Sequence, residues 1–325
     1  MITETDIRQW ADRIEARALL PVLVRRLVRE TAPTVTSIRF PGHEAVVLHG
    51  ADGITEATEA TVWVPRGIAH WEMGCDQSPA AKANSDYDKR TKELRLDVRQ
   101  TSAFIFVTPR RWPGKAKWLK ERRATGDWGE VHAWDAVDIE TWLEQAPTTQ
   151  IWLAERLGRP LQGLASPHDW FREWASASSP NIPAHLVADR RGGVREALAQ
   201  KLREGDRIIP IVADSRQEAV AFCIATLIEA DADDLLDRMV VVTSAHAVPT
   251  ASEGSKPILV LDLPHNEEPL RLDRDRFQII RPMAKGEAAL REQLELPHVG
   301  ADTFRETLEA AGLTREEAQR RALEV

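Results

Sequence analysis

The sequence predicts a two-domain α/β protein in which an α/β/α sandwich around a mixed sheet is followed by a second α/β domain. Strand-like and helix-like segments alternate from residue 61 to residue 158, and a new alternation begins near residue 194. The length of 325 residues is enough for about two domains that each bury a core.

Tryptophan and charge mark the boundary between the two domains. All eleven tryptophans lie between Trp10 and Trp174. Residues 1–165 carry 23 basic and 23 acidic side chains, whereas the rest of the chain carries 20 and 28 and therefore holds the whole net charge of −8. The predicted organisation is a first domain at 1–160, a linker with one short amphipathic helix at 161–190, and a second domain at 191–325.

Composition predicts a cytoplasmic protein, with 43% hydrophobic and 29% charged residues. No apolar run approaches the roughly 20 residues of a membrane-spanning helix, so no membrane partner is expected. The polar N-terminal segment differs from a secretory signal, and two distant cysteines, Cys75 and Cys223, are typical of a reducing compartment. Overall acidity argues against a general nucleic-acid coat protein but not against a local DNA-binding cleft.

The N-terminal part of the chain is predicted to form two helices and then four short strands. The second helix carries an apolar stripe at helical spacing. Proline and glycine punctuation separates the strands, the first two of which form a hairpin turned at Pro41-Gly42. The predicted helices cover 5–16 and 19–30, and the predicted strands cover 35–40, 45–50, 61–65 and 68–73.

A further helix follows these strands, because Ser78 is a favoured N-cap and Pro79 suits the first helical position. The almost wholly apolar run Ser102–Thr108 is typical of a central strand covered on both faces. A short strand at 131–134 and a helix that breaks at Pro147 complete the first domain.

Three charged residues stand where the predicted elements meet. Asp52 ends one strand in Gly-Ala-Asp-Gly, Glu72 lies at the end of the next strand, and Lys82 is one turn into the helix that follows. Carboxylate oxygens can hold Mg²⁺ or Mn²⁺, the metal activates a water, and an ammonium group offsets charge that builds on a phosphate. The constellation indicates phosphodiester hydrolysis, with Asp52 and Glu72 as metal ligands and all three residues as catalytic.

These residues resemble the PD-(D/E)xK, or restriction-endonuclease-like, superfamily, and especially the Mrr-like nuclease domains of bacterial anti-phage proteins. In that pattern an acidic residue ends one strand, the next strand carries Glu-x-Lys, and a helix follows. The position two after Glu72 is Gly74. Because some members of the superfamily carry the lysine on the adjacent helix, Lys82 is the natural candidate for it.

The resemblance implies a restriction-endonuclease-like sandwich and the activity of a metal-dependent DNA endonuclease. It also implies a homo-oligomer that acts in antiviral defence, with DNA and other subunits of a defence complex as partners. The alternative is a non-catalytic module that binds nucleic acid or a partner protein, and this alternative holds if Gly74 marks a lost lysine.

Each of the three site residues also has an ordinary structural interpretation. Asp52 could be a turn residue between glycines, and Glu72 could be a surface acid at a strand end. Lys82 could belong to an exposed ladder of ion pairs with Asp86 and Lys89 on one helical face. Their joint order of strand, strand and helix favours the nuclease interpretation.

A basic segment runs from Arg110 to Arg123, with seven basic residues against one acid and with Trp112 and Trp118 among them. Basic side chains near an active site neutralise phosphates, and an aromatic face can stack on a base. The alternative is a solvated helix whose tryptophans pack inward. The predicted nucleic-acid-binding residues are Arg110, Arg111, Lys115, Lys117, Lys120, Arg122 and Arg123.

The second domain is predicted to be a parallel α/β layer that resembles a P-loop core without its phosphate loop. The strand at 207–213 leads into Asp214-Ser-Arg-Gln-Glu-Ala219, which contains neither glycine nor lysine. Backbone amides cannot cradle a triphosphate where acidic residues stand. The apolar strand that ends at Asp262 is similar to a Walker B strand, as in signal-transducing ATPase-like domains of phage-defence proteins. The sequence therefore predicts a structural or interaction domain and not a working NTPase.

Overall fold

The strands of the chain form two separate sheets in a computed structural model. It describes residues 2–40, 50–179, 181–189, 191, 193–247, 257–263, 277–287, 292–298, 300–310 and 312–322. The chain divides between Arg159 and Pro160 into two compact units, each of which contains one sheet. Among the helices of these described residues, none combines the length and apolar content needed to cross a membrane.

The first unit alternates helices and strands, as the sequence predicts. Its fourth strand is buried at every position, which confirms the prediction of a central strand there. In chain order the elements are α1 (Glu4–Trp10), α2 (Ala16–Thr31), β1 (Val35–Arg39), β2 (Gly53–Ala57), β3 (Gly67–Met73), α3 (Pro79–Glu93), α4 (Leu96–Gln100), β4 (Ser102–Val107), α5 (Lys115–Thr125), β5 (Glu130–Trp134), α6 (Ala136–Glu144) and α7 (Pro147–Arg156).

The sheet of the first unit is mixed, as predicted. Its order is β1-β2-β3-β4-β5. The first three strands pair antiparallel, whereas β3, β4 and β5 pair parallel. The crossover from β3 to β4 runs through α3 and α4, since parallel neighbours need such a connection. The end of β3 therefore leads directly towards the N-terminus of α3.

Helices cover both faces of this sheet. On one face the ring of Tyr87 in α3 packs against Phe104 of β4, with 5.1 Å between ring centroids. On the other face Trp71 of β3 stacks on Trp142 of α6 at 6.4 Å. Because side chains alternate along a strand, Glu72 points away from Trp142 and towards α3.

The predicted strand at 61–65 is wrong, because this segment is a hydrogen-bonded turn. The hydroxyl of Thr61 accepts from the amides of Trp63 at 3.3 Å and Val64 at 3.0 Å. Threonine is typical of strands, but its hydroxyl also competes for backbone groups and thereby stabilises turns. The turn buries Trp63 on Trp142, with ring centroids 5.1 Å apart and planes 11° from parallel.

The strand before β3 is Gly53–Ala57, so Asp52 directly precedes a strand. The predicted turn at Pro41-Gly42 and residues 45–49 of the strand predicted at 45–50 lie outside the described residues. Since β2 runs antiparallel to β3, its first residues lie beside the last residues of β3, and Gly53 pairs with Trp71. Asp52 and Glu72 thus lie close together, as expected, because β2 and β3 are antiparallel neighbours.

The second unit also alternates helices and strands. Its sheet has the order β11-β7-β10-β9-β8-β6 and is parallel apart from β6, so the predicted parallel layer is confirmed. The elements are β6 (Leu164–Ala165), α8 (Pro167–Ser176), α9 (Ala184–Ala188), α10 (Val194–Glu204), β7 (Ile208–Ala213), α11 (Arg216–Glu229), α12 (Asp233–Leu236), β8 (Met239–Val242), β9 (Ile258–Leu261), β10 (Gln278–Ala284), β11 (Leu294–Glu295), α13 (Ala301–Ala310) and α14 (Arg315–Ala322).

The linker predicted at 161–190 is instead part of the second unit. Its amphipathic helix forms as α8, and Trp170 and Phe171 on that helix join the hydrophobic core around α11. Val187 of α9 lies in the same core. Proline punctuation suggests a linker, but the apolar face of α8 gains stability when it is covered, so the segment packs as a domain element.

Candidate active site

Asp52 is fixed by its hydrogen bond to the neighbouring strand. Its Oδ2 accepts from the amide of Met73, the last residue of β3, at 2.7 Å. Burial raises the pKa of Asp52 above its usual value, although the Met73 amide and the positive charge of Lys82 act in the opposite direction. The carboxylate thus links the residue before β2 to the end of β3, a contact that the ordinary turn interpretation does not require.

Glu72 is a buried acid and not the surface residue of the alternative interpretation, since its side chain is 5% exposed. Its Oε1 accepts from Nε of Arg90, and the same guanidinium donates to Glu93 at 2.5 Å and to the carbonyl of Gly50 at 2.6 Å. Burial, followed by the negative charge of Asp52, raises the pKa of Glu72 to about 8. Arg90 opposes this shift but does not cancel it.

Lys82 lies directly over Gly74. A Cβ atom added to Gly74 would be 2.6 Å from Cγ and 3.2 Å from Cε of Lys82. Any larger residue at position 74 would therefore displace the lysine. Burial alone would lower the pKa of Lys82, but the hydrogen bond to Asp86 and the charges of Asp86, Asp52 and Glu72 raise it. The lysine is thus cationic, and it lines the same cavity as Asp52.

A cavity of about 360 Å³ opens at this edge of the sheet. The carboxylate of Asp52 and the side chain of Lys82 contribute to its wall from the sheet and from α3. Arg17 reaches it from α2 and lies 3.9 Å from Asp76, so a second cation faces the same space. The lining residues are Arg17, Leu20, Pro21, Asp52, Met73, Gly74, Cys75, Asp76 and Lys82.

Asp52 and Glu72 are the carboxylates at this edge that could hold a divalent cation such as Mg²⁺ or Mn²⁺, although Arg90 already contacts Glu72. Within the described ranges, histidine, cysteine and acidic residues form no group of three or more arranged to hold a metal ion. Mg²⁺ usually keeps several waters and takes only one or two carboxylates together with substrate phosphates. Asp52 and Glu72 would be those two carboxylates, and their mutual repulsion, which raises the pKa of Glu72, is what a cation would relieve.

Two buried charged residues of this site escape sequence reasoning. Asp86 is 6% exposed and Arg90 is 4% exposed, and both lie on α3 facing the sheet. The spacing of Lys82 and Asp86 suggests an ion pair, which forms at 2.7 Å. The expected exposed ladder with Lys89 does not describe this pair, because its acid is buried. The spacing of the residues alone does not indicate that burial.

Part of the basic segment is held by internal contacts in the first unit. Arg110 donates to Asp12 at 2.6 Å, so it joins the loop after β4 to the end of α1. Lys115 bonds to Asp135 at 3.0 Å and also to Asp138 at the start of α6. These cations neutralise acids of the same unit and are less available to a phosphate backbone.

Arg122 and Arg123 are also engaged. The guanidinium of Arg122 lies 4.7 Å from the ring centre of Tyr87 and donates to Asn84 at 2.6 Å. Arg123 donates to the carbonyl of Val131 at 2.9 Å. Both arginines therefore stabilise the packing of α5 on the rest of the unit.

The remaining basic residues of the segment are exposed: Arg111, Lys117 and Lys120. Trp112 and Trp118 are 5% and 6% exposed and belong to the core between α5 and the sheet. Stacking of these tryptophans on a nucleobase is therefore wrong, and the inward-packed alternative is confirmed for them. Burial of the two indole rings removes apolar area from water and so stabilises the fold, which favours inward packing over exposure.

In the second unit the loop after β7 carries an ion-paired carboxylate. Asp214 lies 2.5 Å from Nζ of Lys285 and 2.7 Å from Nδ1 of His298. The hydrogen bonds from Lys285 and His298, in that order, lower the pKa of Asp214, so the group is anionic at neutral pH. Asp262 follows β9 and accepts from the indole of Trp170 at 3.2 Å.

No model of a known protein family matches the chain, and no curated protein matches it. The fold and the site define a mixed α/β unit that brings the buried Glu72, the half-buried Asp52 and Lys82 to a single sheet edge.

Proposed function

We propose that the first unit is a metal-dependent nuclease that hydrolyses phosphodiester bonds of DNA. The observation that carries the proposal is the position of Lys82 over Gly74. The lysine of the Glu-x-Lys pattern is replaced by glycine, and the space that glycine leaves is filled by a lysine from the adjacent helix. Its charge is coupled to Asp52 and Glu72.

The residues of the site have separate roles in this proposal. Asp52 and Glu72 would hold Mg²⁺ or Mn²⁺, which supplies an activated water and neutralises phosphate charge when it is bound. Lys82 directs its ammonium to the phosphate and stabilises the negative charge that increases in the transition state. Leu20 and Pro21 contribute apolar surface to the lining of the same cavity.

A second candidate is a non-catalytic module that binds nucleic acid or a partner protein. The observation that favours it is the guanidinium of Arg90 on Glu72, because a cation of the chain itself already occupies one ligand oxygen. In this case the buried pair would only stabilise the fold, and the unit would bind DNA without cutting it.

Incubation of supercoiled plasmid with the protein, with Mg²⁺ or with EDTA, tests the proposal. Nicked or linear DNA should form with Mg²⁺ and should be absent with EDTA and with the Asp52→Ala protein. Intact plasmid in every lane, together with a mobility shift in EDTA, would support the binding module instead. A role in antiviral defence, with a homo-oligomer and other subunits as partners, is proposed only from the resemblance.

If α5 contacts DNA, the exposed lysines of that helix determine the salt dependence. We expect Lys117→Ala together with Lys120→Ala to weaken binding equally for all DNA sequences. The slope of log K against log salt should fall by about two units, roughly one for each lost phosphate contact. Fluorescence anisotropy with labelled duplexes measures this, and Arg203→Ala with Arg315→Ala removes two exposed charges of the second unit as a control. An unchanged slope would remove α5 from the DNA path.

The second unit is proposed to be a structural or interaction domain. Asp214 and Glu218 lie at the N-terminus of α11, where a phosphate would need backbone amides and a lysine. Calorimetry should detect no binding of Mg-ATP, because the carboxylate of Asp214 already pairs with Lys285 and His298. Micromolar affinity that disappears in Asp214→Ala would contradict this expectation.

A further inference from the structure

Asp86 has a buried carboxylate, and no structural role in the first unit explains that burial. It lies one turn after Lys82 on α3, and its side chain is 8% exposed. Its Oδ1 is 2.7 Å from Nζ of Lys82. Its Oδ2 is buried and has no hydrogen-bond partner among the residues that the structure describes.

Such an arrangement is unfavourable for folding alone. A buried charged oxygen without a partner costs free energy, whereas an exposed pair at this spacing would avoid the cost. Asp88 on the same helix is the exposed counterpart: its side chain is 55% exposed and it pairs with Arg122 at 3.6 Å. The hydrogen bond from the ammonium of Lys82 is the contact through which the buried Asp86 can act on the cavity.

Lys82 is held at two points. Its aliphatic chain rests on Gly74, and its ammonium bonds to Asp86. A lysine side chain has four rotatable bonds and loses conformational entropy when it is ordered. A lysine that acts from an adjacent helix must be directed across the sheet edge, and these two contacts provide that direction.

We infer that Asp86 is a positioning residue that orders the ammonium of Lys82 in the cavity beside Asp52. The inference rests on the proposed nuclease function, since only a reacting phosphate requires that order. Asp86 acts through Lys82, so its effect must vanish when Lys82 is removed.

A double-mutant cycle tests this dependence. The proteins are Asp86→Asn, Lys82→Ala and the double variant, with Asp88→Asn as the matched control on the same helix. We expect Asp86→Asn to lower kcat for plasmid cleavage about 10- to 100-fold with KM unchanged, the range typical of residues that orient a catalytic group. The double variant should be no slower than Lys82→Ala, and Asp88→Asn should cut at the wild-type rate. Losses that multiply in the double variant, or a wild-type kcat in Asp86→Asn, would overturn the inference.

Lysine-selective NMR tests the positioning of Lys82 independently of DNA cleavage. In the wild-type protein the Lys82 side chain should show slow ammonium exchange and restricted motion, and Asp86→Asn should release it while Lys89 stays unchanged. Asp86→Ser serves the same purpose if the asparagine protein does not fold. If the wild-type protein cuts no DNA, the nuclease proposal fails. Release of Lys82 in the Asp86→Asn protein would then still support the positioning role of Asp86. A Lys82 side chain as ordered in the variants as in the wild type would overturn the positioning role.

Discussion

Asp52→Asn and Glu72→Gln proteins should lose both metal binding and DNA cleavage. Each substitution removes one of two anionic ligands but keeps the shape of the side chain, so the hydrogen bonds to Met73 and Arg90 can persist. The loss of several kcal/mol of transition-state stabilisation corresponds to about 10³-fold or more in rate. DNA binding should persist or improve, because a negative charge leaves the site.

Calorimetry with Mn²⁺ and plasmid cleavage measure the two losses separately. Glu56→Gln is the matched control, since Glu56 is an exposed carboxylate on β2, the strand that follows Asp52 and pairs with the strand of Glu72. Cleavage at the wild-type rate by either site variant would remove that residue from the metal site. Normal metal affinity with lost cleavage would instead give the acid another role.

The pKa of about 8 for Glu72 adds a pH dependence to this result. Below that pH the carboxyl group of Glu72 is protonated, and a metal ion must displace the proton before it can bind. Metal affinity should therefore rise as the pH approaches about 8 and change less above it, and the Glu72→Gln protein should lose this rise.

Lys82→Ala should lower the cleavage rate by about 10²- to 10³-fold, the effect of removing one preorganised charge-stabilising group. Metal binding should remain, because the ammonium lies beside the ligands and is not one of them. Lys89→Ala should have a much smaller effect, since Lys89 is exposed and lies about two helical turns further along α3.

The contact between Lys82 and Gly74 provides a stronger test than the single substitution. Gly74→Lys alone should impair the protein, because its Cβ would lie 2.6 Å from Cγ of Lys82. In the Lys82→Ala background that space is free, so Gly74→Lys should recover part of the lost rate by restoring Glu-x-Lys at the end of β3, with the lysine directly after the strand. Single-turnover cleavage measures both outcomes. A double variant that is slower than Lys82→Ala would show that a lysine at position 74 cannot reach the reacting phosphate.

The elements that position the site follow from local sequence signals. The apolar run of β4 and the proline at the start of α3 determine a parallel crossover after β3, and this crossover brings Lys82 to the strand end. The sequence predicts Asp52 at the end of a strand, whereas the structure has it directly before β2. It still lies beside Glu72, because the first residue of one antiparallel strand lies next to the last residue of its partner.

The buried charges of the site could not be predicted from the sequence. Asp86 and Asp88 are two residues apart on one helix and each pairs with a basic residue, yet only Asp86 is buried. Which face of α3 is covered depends on Tyr87 and on the aromatic cluster it joins, whose members come from distant segments. Arg90 likewise has no sequence feature that distinguishes it from the other arginines, and its contact with Glu72 is seen only in the fold.

The turn that buries Trp63 has a spectroscopic consequence. Trp63 and Trp142 lie almost parallel with 5.1 Å between ring centroids, which is close enough for their excited states to couple. Nine of the eleven tryptophans precede Arg159, and the other two, Trp170 and Trp174, can be replaced by phenylalanine. In that double variant the tryptophan emission and the circular dichroism of the stacked indoles would report on the first unit alone. The melting of the first unit could then be followed in the two-unit chain without any tryptophan signal from the second unit.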